Sequence, residues 1–353
     1  MKNVLTGIGL GAAAAVGIAG LVAGGWALRN LKSPAWGIAA AERAGFIEKQ
    51  VTVDGVRFNY AAGPAQRDAP PLLLIHGQGA DWKNYYSVLA ELSEHYRVYA
   101  VDVHGHGGTS RTPEKYCAPA VGADLAGFIE KVIKEPTVVA GHSSGGQLAA
   151  WLAGHRPEWV RGVVLEDPPL FTTPLPRAEK TWNWVDLATT CHDYLAADTD
   201  DWIGYHFANQ RLWTFFGDAK DPIVRYGLKQ HTRHPGRPIT LFFMPPSWND
   251  VQRSLARYDP RFGEAFYTGA WERGFDHEQT LRGIRAPTVF IHANWTYSDD
   301  GVLQGALDDD DAERARSMIS QVQFERVDSG HAVHAEEPAT YIEILVDLKQ
   351  RLG

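Results

Sequence analysis

A glycine-bracketed serine, Gly141-His142-Ser143-Ser144-Gly145, stands between the apolar run Pro136-Thr137-Val138-Val139-Ala140 and the small-residue run from Gln147 to Ala153. A short apolar run followed at once by helix-favouring residues reads as a strand passing directly into a helix. The five residues between them must make a sharp turn. A side chain at either glycine would collide with the strand or the helix, so both positions must be bare. The turn lifts Ser143 clear of the strand end. The helix behind it supplies N–H donors and a positive dipole end. Any Gly- and Ser-rich turn fits the five letters; the strand before and the helix after set this one apart.

The rest of the chain repeats that theme. Leu72-Leu73-Leu74-Ile75 is wholly apolar and ends at His76-Gly77-Gln78-Gly79. Such runs are typical of parallel strands covered on both faces. Strands are also expected over Tyr96–Val103, Val160–Leu165, Pro287–His292 and Val322–Val327, separated by helical stretches such as Trp82–His95, Val121–Lys134, Ala312–Ile319 and Ala339–Leu352. Strand–helix alternation of this kind implies a doubly wound, mostly parallel sheet. Phe46 to Tyr60 reads as a hairpin turning at Asp54-Gly55. From Leu170 to about Asp276 the alternation stops and aromatics accumulate. This stretch is too long for a loop and is expected to be an inserted, mostly helical cap. Asp308 to Asp311 reads as a solvated helix N-terminus.

The first thirty residues are different. Val4 to Leu28 carries no charged residue and is long enough to span a bilayer as a helix. A cleaved signal usually has a shorter apolar region and a more basic start than Lys2 provides. The segment is therefore expected to be a membrane anchor or an export signal, with its orientation open. Gly7-Ile8-Gly9-Leu10-Gly11-Ala12 fits a dinucleotide fingerprint in form, but the next acid is Glu42, and no strand–helix–strand unit surrounds it. The expected division is 1–32 anchor or signal, 33–169 core, 170–278 cap and 279–353 core. A net charge of −8 argues against a nucleic-acid partner. Cys117 and Cys191 form neither a disulfide framework nor a metal-ligand spacing.

A serine hydroxyl needs a base to act as a nucleophile. His331, in Ser329-Gly330-His331 directly after the last expected strand, lies on the same carboxyl edge as Ser143. His334 is the back-up. A metal pair of His331 and His334 lacks a well-placed carboxylate. The base needs an orienting acid, and two places offer one. Asp167 follows the strand after the serine helix and precedes Pro168-Pro169. Asp299 and Asp300 stand in the loop after the next strand, the commoner position in this architecture. Glu166 should point away from Asp167 by strand alternation. Backbone N–H groups of Ser144 and of Gly77 or Gln78 are the expected oxyanion donors. His76, His104 and His106 are expected to tie loops together. The cap aromatics imply a bulky apolar substrate, with Trp184, Trp213 and Trp248 as candidate contacts. No metal or cofactor is required.

With His76-Gly77-Gln78-Gly79, Asp102-Val103-His104-Gly105-His106-Gly107, Gly141 to Gly145 and Gly330-His331 in this order, the chain resembles the α/β-hydrolase superfamily over roughly residues 50 to 353. A narrower likeness is to bacterial zearalenone lactone hydrolases. It rests on Val132-Ile133-Lys134, Ala140 to Leu152, Glu166-Asp167, Tyr258-Asp259-Pro260, Leu303 to Leu307 and His331 with His334. That resemblance implies an α/β-hydrolase fold with an inserted helical cap, a Ser143–Asp167–His331 triad, and a small-molecule ester or lactone substrate. The apolar N-terminus departs from that family. On the same fold an amidase or a carbon–carbon bond hydrolase is the alternative. A non-catalytic ligand-binding protein is the alternative of another class.

Overall fold

The computed structural model describes residues 24–64 and 68–353. Helix α1 covers 24–43. A hairpin follows: β1 (Ile47–Val53) and β2 (Val56–Ala62) pair antiparallel. Its turn residues Asp54 and Gly55 both have positive φ (49° and 84°), as a two-residue hairpin turn requires. Then come β3 (Pro71–Ile75), α2 (Leu89–His95), β4 (Arg97–Val101), α3 (Ala118–Phe128), β5 (Thr137–His142), α4 (Ser144–His155) and β6 (Val160–Glu166). The cap carries α5 (Thr189–Ala196), α6 (Trp202–Asn209), α7 (Lys220–Arg233), α8 (Pro246–Leu255) and α9 (Pro260–Tyr267). The chain returns to the core with α10 (His277–Gly283), β7 (Thr288–His292) and a small hairpin, β8 (Thr296–Tyr297) with β9 (Leu303–Gln304). It ends with α11 (Asp309–Met318), β10 (Val322–Arg326), α12 (Val333–Glu336) and α13 (Pro338–Leu352).

One eight-stranded sheet runs in the order β1-β2-β4-β3-β5-β6-β7-β10. Pairings from β4 to β10 are parallel, and only β2 with its two neighbours is antiparallel. The strand period of two divides the core. Leu73, Ile75 and Val139 face α3 and α4 on one side, while Leu72, Leu74, Val138 and Ala140 face α2 and α13 on the other. Such double coverage explains why the parallel strands are continuous apolar runs. The cap has a separate small core of Phe207, Trp213, Ile239, Leu241 and Met244.

Two expectations concern the N-terminal stretch. The segment Val4 to Leu28 lies almost wholly outside the described residues, and its last five residues open α1. Among the described residues no helix is long and apolar enough to cross a membrane. Helix α1 runs through the division expected between residues 32 and 33. Pro34 sits inside that helix and cannot bond to the carbonyl of Asn30. That carbonyl instead accepts from Asn249 Nδ2 of α8 at 3.2 Å, and the Asn30 amide donates to the Phe242 carbonyl at 2.9 Å. A cross-link to the cap thus satisfies the backbone group that proline releases.

Candidate active site

The elbow after β5 shows why both glycines are needed. A Cβ on Gly141 would lie 2.0 Å from the carbonyl oxygen of Gly145, and one on Gly145 would lie 2.2 Å from that of Ile75. Between them Ser143 has φ 54° and ψ −124°, a strained conformation for a side-chain-bearing residue. Its N–H donates to Glu166 O at 2.9 Å, and its carbonyl accepts from Gly146 N at 2.8 Å. The strain is therefore held from β6 on one side and from the first turn of α4 on the other.

β5 and β6 are neighbours, so the end of β6 lies beside the elbow. Asp167, with φ 42°, is buried there, and its Oδ2 accepts from His331 Nδ1 at 2.7 Å. Its Oδ1 accepts from Ala293 N at 3.2 Å, while His292 Nδ1 stands 3.5 Å off, at the limit of a hydrogen bond. Burial alone would raise the carboxyl's pKa. The hydrogen bonds from His292 and His331, with the His331 charge and Ala293 N–H, outweigh it and bring the value to about 2. For His331 burial disfavours the cation. The bond and charge of Asp167, with Glu166 and Glu336 beyond, reverse this and set its pKa above the ordinary imidazole value. With Nδ1 committed to the acid, Nε2 is the ring's remaining nitrogen, and 41% of the side-chain surface is reachable.

Ser143, Ser144, Gly77, Gln78 and His331 line one cavity of about 570 Å³. A Cβ on Gly77 would lie 2.9 Å from Ser143 Cβ, so the β3 loop meets the serine backbone to side chain. Ser144 opens α4. The start of α4 and the β3 turn thus meet at the same side chain. The loop histidines are structural, as expected. His76 Nε2 accepts from Val103 N at 2.9 Å, with Nδ1 2.8 Å from Gly77 O. His106 Nε2 accepts from Gly79 N at 3.0 Å. His104 lies 2.7 Å from Thr112 Oγ1.

The other candidates separate. Asp300 is exposed and paired with Arg211, and Asp299 is exposed on the same loop. Neither is bonded to His331. Trp213 is fully buried in the cap's own core, with Trp248 packed against it, and Trp184 stacks on Tyr267. None of these three tryptophans lines the cavity. Trp182, Leu187, Phe215, Val251 and Phe266 do. The cap must fill its own interior before it can offer rings to a ligand, and sequence carries no mark of which ring does which.

Sequence reasoning passed over two groups here, His142 and Asp186, and His334 takes a different place from the one expected of it. His142, between Gly141 and Ser143, donates from Nε2 to the His331 carbonyl at 3.0 Å, and their rings lie 4.5 Å apart. Burial, partly offset by Glu166, lowers its pKa to about 3, so it is neutral. His334, the back-up base, is tied through Nδ1 to Glu166 at 2.8 Å, with its N–H on the same carboxylate at 2.9 Å. Strand alternation does turn Glu166 away from Asp167. It serves His334, while His331 and Asp167 form the other pair. In the cap, Asp186 lines the cavity, and burial raises its pKa to about 6 despite the Arg211 N–H.

A mostly parallel sheet with a serine elbow after its central strand and a His–Asp pair at the same edge defines a hydrolase scaffold. The chain belongs to the alpha/beta hydrolase fold family, whose pattern matches residues 70–338. It is 36% identical over 134 residues to the dihydrolipoyllysine-residue acetyltransferase component of the acetoin cleaving system of Cupriavidus necator, covering 37% of this chain and 34% of that protein. It is 31% identical over 119 residues to the pimeloyl-[acyl-carrier protein] methyl ester esterase of Nitrosospira multiformis, covering 33% and 44%. These matches span a third to under half of each relative's length. Among solved structures it is similar to a membrane phospholipase A described as a bacterial virulence factor. The TM-score is 0.63 at 23% identity, covering 100% of this chain and 99% of that one, which speaks for the fold alone.

Proposed function

We propose that this protein is a serine hydrolase that cleaves a carboxylic ester or lactone of a bulky, largely apolar substrate. The observation that carries the reading is the 2.7 Å bond from buried Asp167 to Nδ1 of His331, whose ring lines the same cavity as Ser143. On this reading Ser143 Oγ attacks the carbonyl carbon as His331 Nε2 takes its proton. The tetrahedral oxyanion is received by the N–H groups of Ser144 and of Gly77 or Gln78. Asp167 holds His331 in the Nδ1–H tautomer and stabilises the imidazolium. The C–O bond breaks, and His331 returns its proton to the alkoxide. Water, deprotonated by His331, then attacks the acyl-enzyme and frees Ser143. In a lactone the departing hydroxyl stays tethered to the acyl group. The apolar lining from Trp182, Leu187, Phe215, Val251 and Phe266 suits a bulky apolar substrate. The motif likeness to zearalenone lactone hydrolases places macrocyclic lactones in the test panel. The uncharged run Val4 to Leu28 supports attachment to a membrane by the N-terminus.

The test is labelling with a fluorophosphonate, followed by turnover of aryl esters, macrocyclic lactones and amides. Labelling at Ser143 and ester or lactone turnover are expected, both absent in Ser143→Ala. Parent-level turnover by Ser143→Ala would overturn the reading, and so would a preference for amides over every ester and lactone.

A further inference from the structure

Helix α1 has two faces of opposite character. The inward face is bound to the cap through Asn30 and to the core through Gly37, where a Cβ would lie 2.3 Å from the Tyr86 ring. At 3.6 residues per turn, Leu28, Leu31, Ala35 and Trp36 share the outward half with Arg29 and Lys32. Leu28 is 50% exposed, Leu31 38% and Trp36 53%; Trp26, nearer the chain start, is 49% exposed. No acid stands between residues 24 and 41, although the chain's net charge is −8. Large apolar side chains interleaved with cations are the composition of helices that lie in a bilayer interface, with tryptophan at headgroup depth.

The apolar surface continues beyond the helix. Phe242, whose carbonyl accepts from Asn30, is 50% exposed and packs on Phe243, which meets Phe216. Its neighbour Phe215 is 62% exposed and stacks on Trp182, and both line the cavity. Tyr86, against Gly37, lines it too. Exposed Phe242 and Phe215, joined through half-buried Phe243 and Phe216, thus lead as a ridge from α1 to the rim of the cavity. The sequence leading into α1, Val4 to Leu28, is uncharged over a bilayer-spanning length.

We infer that the outward face of α1 and the Phe242–Phe215 ridge rest on an anionic bilayer surface, so that the cavity takes its apolar ester directly from the lipid phase. The surface contact stands on α1 and the ridge; the loading rests on the hydrolase reading above.

The full-length protein is mixed with phosphatidylcholine–phosphatidylglycerol vesicles whose acyl chains are brominated at shallow or deep carbons, and tryptophan fluorescence is read. Shallow bromines should quench the parent, and Trp26→Phe/Trp36→Phe should lose most of that quenching. Ser143→Ala should be quenched like the parent, which separates the surface from the chemistry. Absent quenching, or equal quenching in the double variant, would overturn the contact. So would a dimer, seen by light scattering, that shields these tryptophans without lipid. For loading, Leu31→Ser/Trp36→Ser should lower turnover of a vesicle-dissolved ester by about tenfold and leave a water-soluble ester within about twofold. A fall on both esters, or on neither, would overturn loading from the bilayer. A parent that cleaves no ester would overturn the hydrolase reading and the loading with it, while quenching still decides the contact.

Discussion

At the scale of single residues, Asp167 has to be charged, buried and in a left-handed backbone conformation at once. Asparagine tolerates that conformation, so Asp167→Asn removes the charge with the turn kept. Its turnover should fall by roughly 10³ to 10⁴, because the amide cannot hold the Nδ1–H tautomer or stabilise the imidazolium. Asp299→Asn and Asp300→Asn, at surface sites, should each cost less than about tenfold. Steady-state kinetics on the three variants, with circular dichroism as a folding check, decides between them. The pH profile gives a second reading. His331 must be neutral to accept a proton, so activity is lost as pH falls through its pKa. That value is raised above the ordinary imidazole value by Asp167, so the acidic limb of kcat/KM should lie at higher pH than for an unpaired imidazole, and it should move to lower pH in Asp167→Asn. His142 acts one step further out, through the carbonyl of His331. His142→Phe should cost about tenfold in kcat with KM little changed, the scale of one lost hydrogen bond, and His142→Gln, which keeps a donor, should recover part of it. Sequence marked Ser143 and His331 through their neighbours. It could not mark His142, because the bond that matters joins a side chain to a backbone 189 positions away.

At the scale of elements, the elbow is a close fit of three backbones. Gly141→Ala would drive a methyl into the Gly145 carbonyl at the core of the sheet, with no flexible side chain to give way. The expected outcome is a loss of more than about 3 kcal/mol or failure to fold, read as melting temperature and soluble yield. The strands were legible because burial on both faces leaves one solution for a short apolar run, and the hairpin because Asp54-Gly55 is its own instruction. Helix α1 was legible only in part. A proline inside a helix releases a carbonyl, and the sequence held no sign that Asn249, from a distant element, would accommodate it. Asn30→Ala removes the side-chain bond to Phe242 and should loosen that docking by about 1 kcal/mol, seen as faster limited proteolysis near residues 24–43.

At the scale of the whole molecule, the cap was predictable as an interruption and opaque in its details. Its aromatic content said that something would be buried, while the partition between its own core and the cavity depends on packing that no local pattern encodes. What seats the cap on the sheet is a buried charged cluster. Arg253 of α8 binds both oxygens of Asp81 at 2.7 and 2.8 Å and reaches Asp250 at 2.6 Å. Burial would raise the pKa of Asp81, and the Arg253 charge reverses it. Arg253→Met leaves two carboxylates buried without their cation and should cost about 3–5 kcal/mol. The deficit should shrink on acidification, as protonation relieves the stranded charges. Thermal melts of parent and variant across pH measure both effects.

The place of Asp167 in the chain has a further meaning. It stands three residues before the cap insertion begins, and the two between are Pro168 and Pro169, whose rings fix φ. Two such rings in a row leave the backbone between the carboxylate and the insertion little freedom to turn. The two proline rings work as a mechanical stop between a part that can be redrawn and a part that cannot. Replacing both prolines with alanine would loosen that joint without touching the carboxylate or its bond to His331.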